Sequence, residues 1–123
     1  MKYVRSSETV INTDFILQPE QEWLSPAFFA DNGSIVNLNI TAGKLVYAEI
    51  MTLDKYNELT DNGKKSMKFN WNSAGKRFNS LKYVLKDGEL VVVVKNRMYY
   101  LDNLDIRVMV NVELIGKREV VGV

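Results

Sequence analysis

The chain reads as all-β: an antiparallel β-sandwich of about seven or eight strands, with one short helix (about 52–60) in a crossover. Three observations predict it. The segment "LDIRVMVNVEL" (104–114) keeps a period of two along its whole length. Turn signals recur about every 8–12 residues. Helical spacing shows in only one place, "TLDKYNEL" (52–59). With 123 residues, 46% of them apolar and 25% charged, the chain suits a single domain, 1–123, with one buried core.

Taken in order, Glu8 to Leu17 mixes Val10, Ile11, Phe15 and Ile16 with polar residues and predicts a first strand. Gln18-Pro19-Glu20 breaks it. Glu22 to Phe29 follows, and Pro26 marks it as an edge strand or a bulge, because proline cannot donate to a ladder. In "ADNGS" (30–34), Asn32-Gly33 supplies the positive φ of a tight turn. "SIVNLNIT" then alternates, with Val36, Leu38 and Ile40 on one face and Asn37, Asn39 and Thr41 on a wet one. Ala42-Gly43 turns the chain into a strand over 44–51.

Thr52 caps the helix, and Asp54 in its first turn suits the dipole. Leu53, Tyr56 and Leu59 share a stripe, and Asn62-Gly63 stop the segment. Two turns are too short to stand alone, so the stripe must lean on the sheet. A short strand is expected at 68–71. Phe78 to Leu85 and Glu89 to Lys95 flank Asp87-Gly88, a hairpin signal. Val91 to Val94 do not alternate, which predicts a central strand buried on both faces. In the last long strand Leu104, Ile106, Val108, Val110, Val112 and Leu114 face one way; Asp105, Arg107, Met109, Asn111 and Glu113 face the other. "KREVVGV" is a short tail able to add an edge strand.

Composition narrows the chemistry. There is no cysteine and no histidine. Disulfides, Cys/His zinc sites, a Ser-His-Asp triad and a histidine base are therefore excluded. The net charge of +1 carries no basic face, so no nucleic-acid partner is expected. Solvated loop charge is the plainer reading of Lys64-Lys65 and Lys76-Arg77. Gly63 to Lys65 lacks a P-loop frame. No secretory signal and no run long enough to span a bilayer is visible, so no membrane insertion is expected. Cytoplasm, a virion, or a mature domain cut from a longer precursor all fit. The sequons at Asn32 and Asn39 are read as chance matches.

The order of "GSIVNLNIT", "KLVYAEIMTLDKYNEL", "MKFNW", "LKDGELVVVVKN" and "LDIRVMVNVEL" resembles the GOLD-like (Golgi-dynamics type) β-sandwich over roughly residues 33–115. The resemblance implies a compact, non-enzymatic sandwich that binds proteins or, in some settings, ligands. This chain departs from it in having no visible signal peptide, no anchor and no cysteine pair.

Acidic and amide residues at 31–32, 61–62 and 102–103 can gather at one end of a sandwich, but calcium needs six to eight oxygens and no EF-hand spacing occurs. Caps and turns account for them. A carboxylate pair for glycoside hydrolysis cannot be singled out. Tyr56, Trp71, Tyr99 and Tyr100 are candidate contact aromatics, set against the reading that Tyr56 and Trp71 pin the helix and the strand after it to the core. Arg97 and Met98 beside the tyrosine pair suit an interface. The expected function is a non-catalytic binding or structural module, without cofactor or metal. It would recognise a protein partner through loops or a strand edge, at a surface of Tyr56, Lys64, Lys65, Trp71, Arg97, Met98, Tyr99 and Tyr100. A virion or other assembly subunit that self-associates, its free end at Val120 to Val123 adding to a neighbour's sheet, and a carbohydrate-binding module are the alternatives.

Overall fold

The computed structural model describes residues 2–19, 21–43, 46–61, 77–96 and 105–122. The strands are β1 (Lys2–Val4), β2 (Ser7–Leu17), β3 (Glu22–Leu24), β4 (Phe28–Ala30), β5 (Ile35–Ala42), β6 (Val46–Thr52), β7 (Arg77–Tyr83), β8 (Gly88–Asn96), β9 (Ile106–Ile115) and β10 (Glu119–Val121), with one helix, α1 (Leu53–Asp61). The first sheet runs β2-β9-β5-β7; in the second, β8 pairs with β3 and β4 on one side and with β6 on the other. Every pairing is antiparallel. The fold is an all-β sandwich.

The pairings nest. β1 pairs with β10, β2 with β9, β3 and β4 with β8, and β5 with β7. The chain is thus one long ribbon doubled back around the α1 segment. Two further pairings, β5 with β9 and β6 with β8, close the ribbon into two sheets. This wrapping is that of a jelly roll. It makes most connections cross between the sheets, which overturns the hairpin expected at Asp87-Gly88. β7 and β8 lie in different sheets. Asp87 Oδ1 instead accepts the Asn32 N–H at 2.6 Å, and Val84 N–H donates to the Ser34 carbonyl at 2.9 Å. The Asp-Gly pair serves a corner locked to the neighbouring corner, where Gly33 takes the expected positive φ of 91°.

Between the sheets lies one core, with Val36, Leu38, Ile40, Val92, Val94, Val108, Val110 and Val112 fully buried. Each such valine contributes roughly 1.5–3 kcal/mol relative to exposure. The lateral gaps between the sheets are closed differently. On one side the Phe15 and Trp23 rings stack with centroids 4.5 Å apart. On the other, Lys82 points inward from β7 and its Nζ donates to the Ile50 carbonyl of β6 at 3.0 Å.

β8 is buried on both faces, as its unbroken valine run predicts. Leu90, Val92 and Val94 enter the main core; Val91 and Val93 join Met51 on the far side, under Leu53, Tyr56 and Leu59 of α1. The Thr52 hydroxyl accepts the Lys55 N–H at 3.1 Å, the expected N-cap. The expected stop at Asn62-Gly63 and the strand at 68–71 lie outside the described residues.

Two irregularities explain awkward stretches of sequence. In β2 the register slips between Thr9 and Ile11, a bulge at Val10. It lets Ile11, Phe15 and Leu17 face inward despite the adjacent Val10-Ile11 pair. Where Pro26 was expected to mark an edge or bulge, β3 and β4 are two short pieces on the edge of β8. Between them Ser25 is buried, and its hydroxyl accepts the Val92 N–H at 2.8 Å while its own N–H reaches the Val92 carbonyl at 2.9 Å. The hydroxyl thus replaces an acceptor that the interrupted ladder lacks. Among the described residues the split edge and the β1–β10 ribbon bring the count to ten strands, against about seven or eight expected. The tail forms its strand with β1 rather than within the main sheets, and of the end expected to be free, Val120 and Val121 pair with Tyr3 and Lys2, while Val123 lies outside the described residues.

Ser25→Ala should lower unfolding free energy by about 1–3 kcal/mol in urea denaturation, because it strands the buried Val92 N–H without opening a large cavity.

Candidate binding face

Helix α1 covers the outer face of the second sheet at Val91 and Val93. Among the described residues nothing comparable covers the first. Strand register fixes what that open face displays. Asn12 lies opposite Asn111, Asn111 opposite Asn39, and Asn39 opposite Asn79. Four asparagines from four strands form one row across the sheet, at the roughly 4.8 Å spacing of neighbouring strands. Asn79 Nδ2 donates to Asn37 Oδ1 and Asn39 Oδ1, both at 2.6 Å, which holds the amides of β5 and β7 in fixed orientations. One row away, Asp14, Met109, Thr41 and Arg77 are likewise in register.

Beside these rows Arg107 reaches back to Asp14, Nη2 to Oδ2, at 2.6 Å. Both side chains are exposed, so the pair is worth only about 0.2–1 kcal/mol and orients more than it stabilises. Thr41, Ala42, Gly43, Arg107 and Met109 line a shallow, mostly apolar groove of about 350 Å³ at this end. At the other end Leu81 is 54% and Tyr83 65% exposed, and Leu85, just past β7, is 85% exposed. The face is an amide-rich surface flanked by apolar groups. It offers hydrogen bonding and contact area rather than reactive groups.

The edge beside it is also open. β7 pairs with β5 on one side, and among the described residues no strand pairs on the other. Val84 turns its N–H and C=O toward the β5 side, to Ser34 and Gly33. In an antiparallel ladder these groups alternate sides. Lys82, Ser80 and Phe78 therefore bond to β5, while Tyr83, Leu81, Asn79 and Arg77 present theirs to the free edge. The edge of β2 is bent by the bulge at Val10, and that of β3 and β4 is interrupted at Ser25-Pro26. Such devices discourage strand addition. β7 has neither proline nor bulge over its 7 residues; its one such device is the inward Lys82, whose Nζ is held by the Ile50 carbonyl.

Of the residues expected at a partner surface, only Tyr56 falls among those described. Lys64, Lys65, Trp71, Arg97, Met98, Tyr99 and Tyr100 lie outside them. Tyr56 is half-buried against Met51, Val91 and Val93, and its hydroxyl donates to Glu22 Oε2 at 2.9 Å. It pins α1 across the second sheet to β3. Burial, then the hydrogen bond and negative charge of Glu22, raise its pKa above the usual tyrosine value. No group of three or more acidic side chains is placed to hold a metal ion among the described residues. None of their helices is long and apolar enough to cross a membrane. The asparagine row was not among the expected site residues. Its signal was the wet half of each alternating strand, at Asn39 and Asn111, but only the register shows that these align with Asn12 and Asn79.

No family model matches this chain, and searches of characterised proteins and of solved structures gave no significant match.

The raised Tyr56 pKa means that the folded state favours the protonated phenol. Its contribution to stability is full below about pH 10, the unfolded tyrosine value, and is lost as pH rises through the folded value. Tyr56→Phe should flatten this alkaline decline in a denaturation series across that range; an unchanged slope would contradict the Tyr56–Glu22 contact.

Proposed function

We propose that the protein is a non-catalytic recognition module that binds a protein partner by strand addition at β7 and contact with the adjoining outer face. The open edge of β7 carries this reading, since four consecutive outward-turned amide and carbonyl pairs form a ready template for another strand. Leu81 and Tyr83 add apolar area where a partner's side chains would lie. Kinship with the GOLD-like sandwiches belongs to the same proposal and rests on the order of the sequence signals.

The test places a photo-crosslinking side chain at Leu81 and, as a control, at Asp54 on α1. Adducts to one protein from Leu81 and none from Asp54 are expected. Adducts from Asp54 alone, or from neither position, would remove the β7 reading.

A second reading is favoured by a separate observation, the asparagine row. Amides carry both donors and acceptors and are uncharged, which suits the paired hydroxyls of a neutral glycan. Asn39 and Asn79, which bond to each other in the row, would be the principal contacts. In a glycan array, a hit from the unaltered protein that falls at least about tenfold in Asn39→Ala and Asn79→Ala, equivalent to about 1.4 kcal/mol, is the expected signature. An array without hits would dismiss this second reading.

A further inference from the structure

We propose that the strand added to β7 is β7 of a second copy, in an antiparallel two-fold pair that joins two four-stranded sheets into one of eight. This rests on the β7 edge reading above and goes beyond it by naming the partner. The argument is one of register. A two-fold pair of identical antiparallel strands is set by the residue at its centre. The groups turned to the free edge belong to Arg77, Asn79, Leu81 and Tyr83. Only a centre at Ser80 pairs all four, placing Asn79 opposite Leu81 of the second copy and Arg77 opposite Tyr83 of the second copy. Centres at Asn79 or Leu81 leave one or more of these unpaired.

The side chains agree with that register. On the outer face the Arg77 guanidinium falls beside a tyrosine ring of the second copy, a cation–π pair that occurs twice by symmetry. Asn79 falls beside Leu81. On the inner face Phe78 meets Lys82 of the second copy, and Ser80 meets its own equivalent, with no bulk to clash. No like charges stand directly opposite, whereas a centre at Arg77 or Lys82 would oppose two cations. Lys82, the one inward charge on β7, already donates to the Ile50 carbonyl, so it occupies an acceptor of β6 and leaves the outer edge of β7 clear. An isologous interface of this kind closes at two copies and does not propagate.

The absence of cysteine from the chain makes the register directly testable. Ser80 turns its backbone groups away from the edge, so in the pair it forms a non-hydrogen-bonded site, where opposed side chains come closest. Under mild oxidation Ser80→Cys should form a covalent dimer faster than Asn12→Cys, on the far edge strand of the same sheet, by an order of magnitude or more. Asn79→Cys mixed with Leu81→Cys should cross-link more readily than either alone. Light scattering of the unaltered protein should give the dimer mass, shifting to monomer on dilution. The Leu81 N–H points to the free edge, so Leu81→Pro removes no bond to β5 and should yield a folded monomer by circular dichroism. Leu81→Lys serves the same purpose should the proline variant not fold. A monomer at every concentration, with Ser80→Cys no faster than Asn12→Cys, would overturn the self-pairing. If Leu81 photo-adducts then identify a different protein, the edge reading stands without it. A dimer that survives Leu81→Lys unchanged would overturn the self-pairing at this edge.

Discussion

The double burial of β8 is the constraint from which the rest of the architecture follows. Leu90 to Val94 leave no face of that strand for water. A strand of this kind must be central, and β8 has neighbours on both sides. Its inner side chains meet the first sheet, but Val91 and Val93 require a second cover. That cover is α1, too short to be stable alone and held by its contact with the same two valines. The Thr52 cap and the Tyr56–Glu22 bond fix where the helix sits. The second sheet is thus apolar on both faces and the first on only one. Among the described residues this asymmetry leaves the first sheet's outer face as the broad uncovered surface.

The nested ribbon explains how the chain's two ends meet. Gly116 N–H donates to the Ser6 carbonyl at 2.7 Å, and a Cβ on Gly116 would stand only 2.5 Å from Ser6 Oγ, so a larger residue there would require the Ser6 hydroxyl to turn aside. Arg5 Nη1 reaches the Gly33 and Gly116 carbonyls at 3.2 and 3.3 Å, joining the ribbon's ends to the corner between β4 and β5. Arg118 lies 3.9 Å over the Tyr3 ring. These contacts explain why a tail as apolar as "EVV" folds back on its own chain: β1 and the ends of β2 and β9 are already beside it.

What the sequence made legible follows from the range of the forces involved. Period-two alternation in β5 and β9, the cap and stripe of α1, the positive φ at Gly33 and the double burial of β8 are properties of a few neighbouring residues, and each was readable locally. The sheet to which a strand belongs is not. Asp87-Gly88 has the local chemistry of a hairpin turn, yet the bond from Asn32, 55 residues away, makes it a corner. The bulge at Val10 likewise shows in sequence only as broken periodicity. The candidate site was harder still. The chain shows Asn12, Asn39, Asn79 and Asn111 as scattered polar residues, and they become a row only through three pairings between distant segments. Aromatic and basic residues drew attention instead because their side chains suggest contact wherever they stand.

Asn79 connects the two functional readings. Its side chain fixes the amides of Asn37 and Asn39 on the outer face, while its backbone groups turn to the free edge of β7. In the proposed pair, the asparagine row of one copy would continue onto Leu81 of the other. Two rows would then run in opposite directions from the seam, each displaced by one step of the ladder. Pairing would cover Leu81 and Tyr83, the exposed apolar groups at the edge, and leave both amide rows open. Self-pairing and ligand binding at the outer face are therefore compatible, because they use different groups of the same strand. A two-fold sheet would also present its ligand sites in pairs, so weak contacts at each row could act together when the ligand repeats.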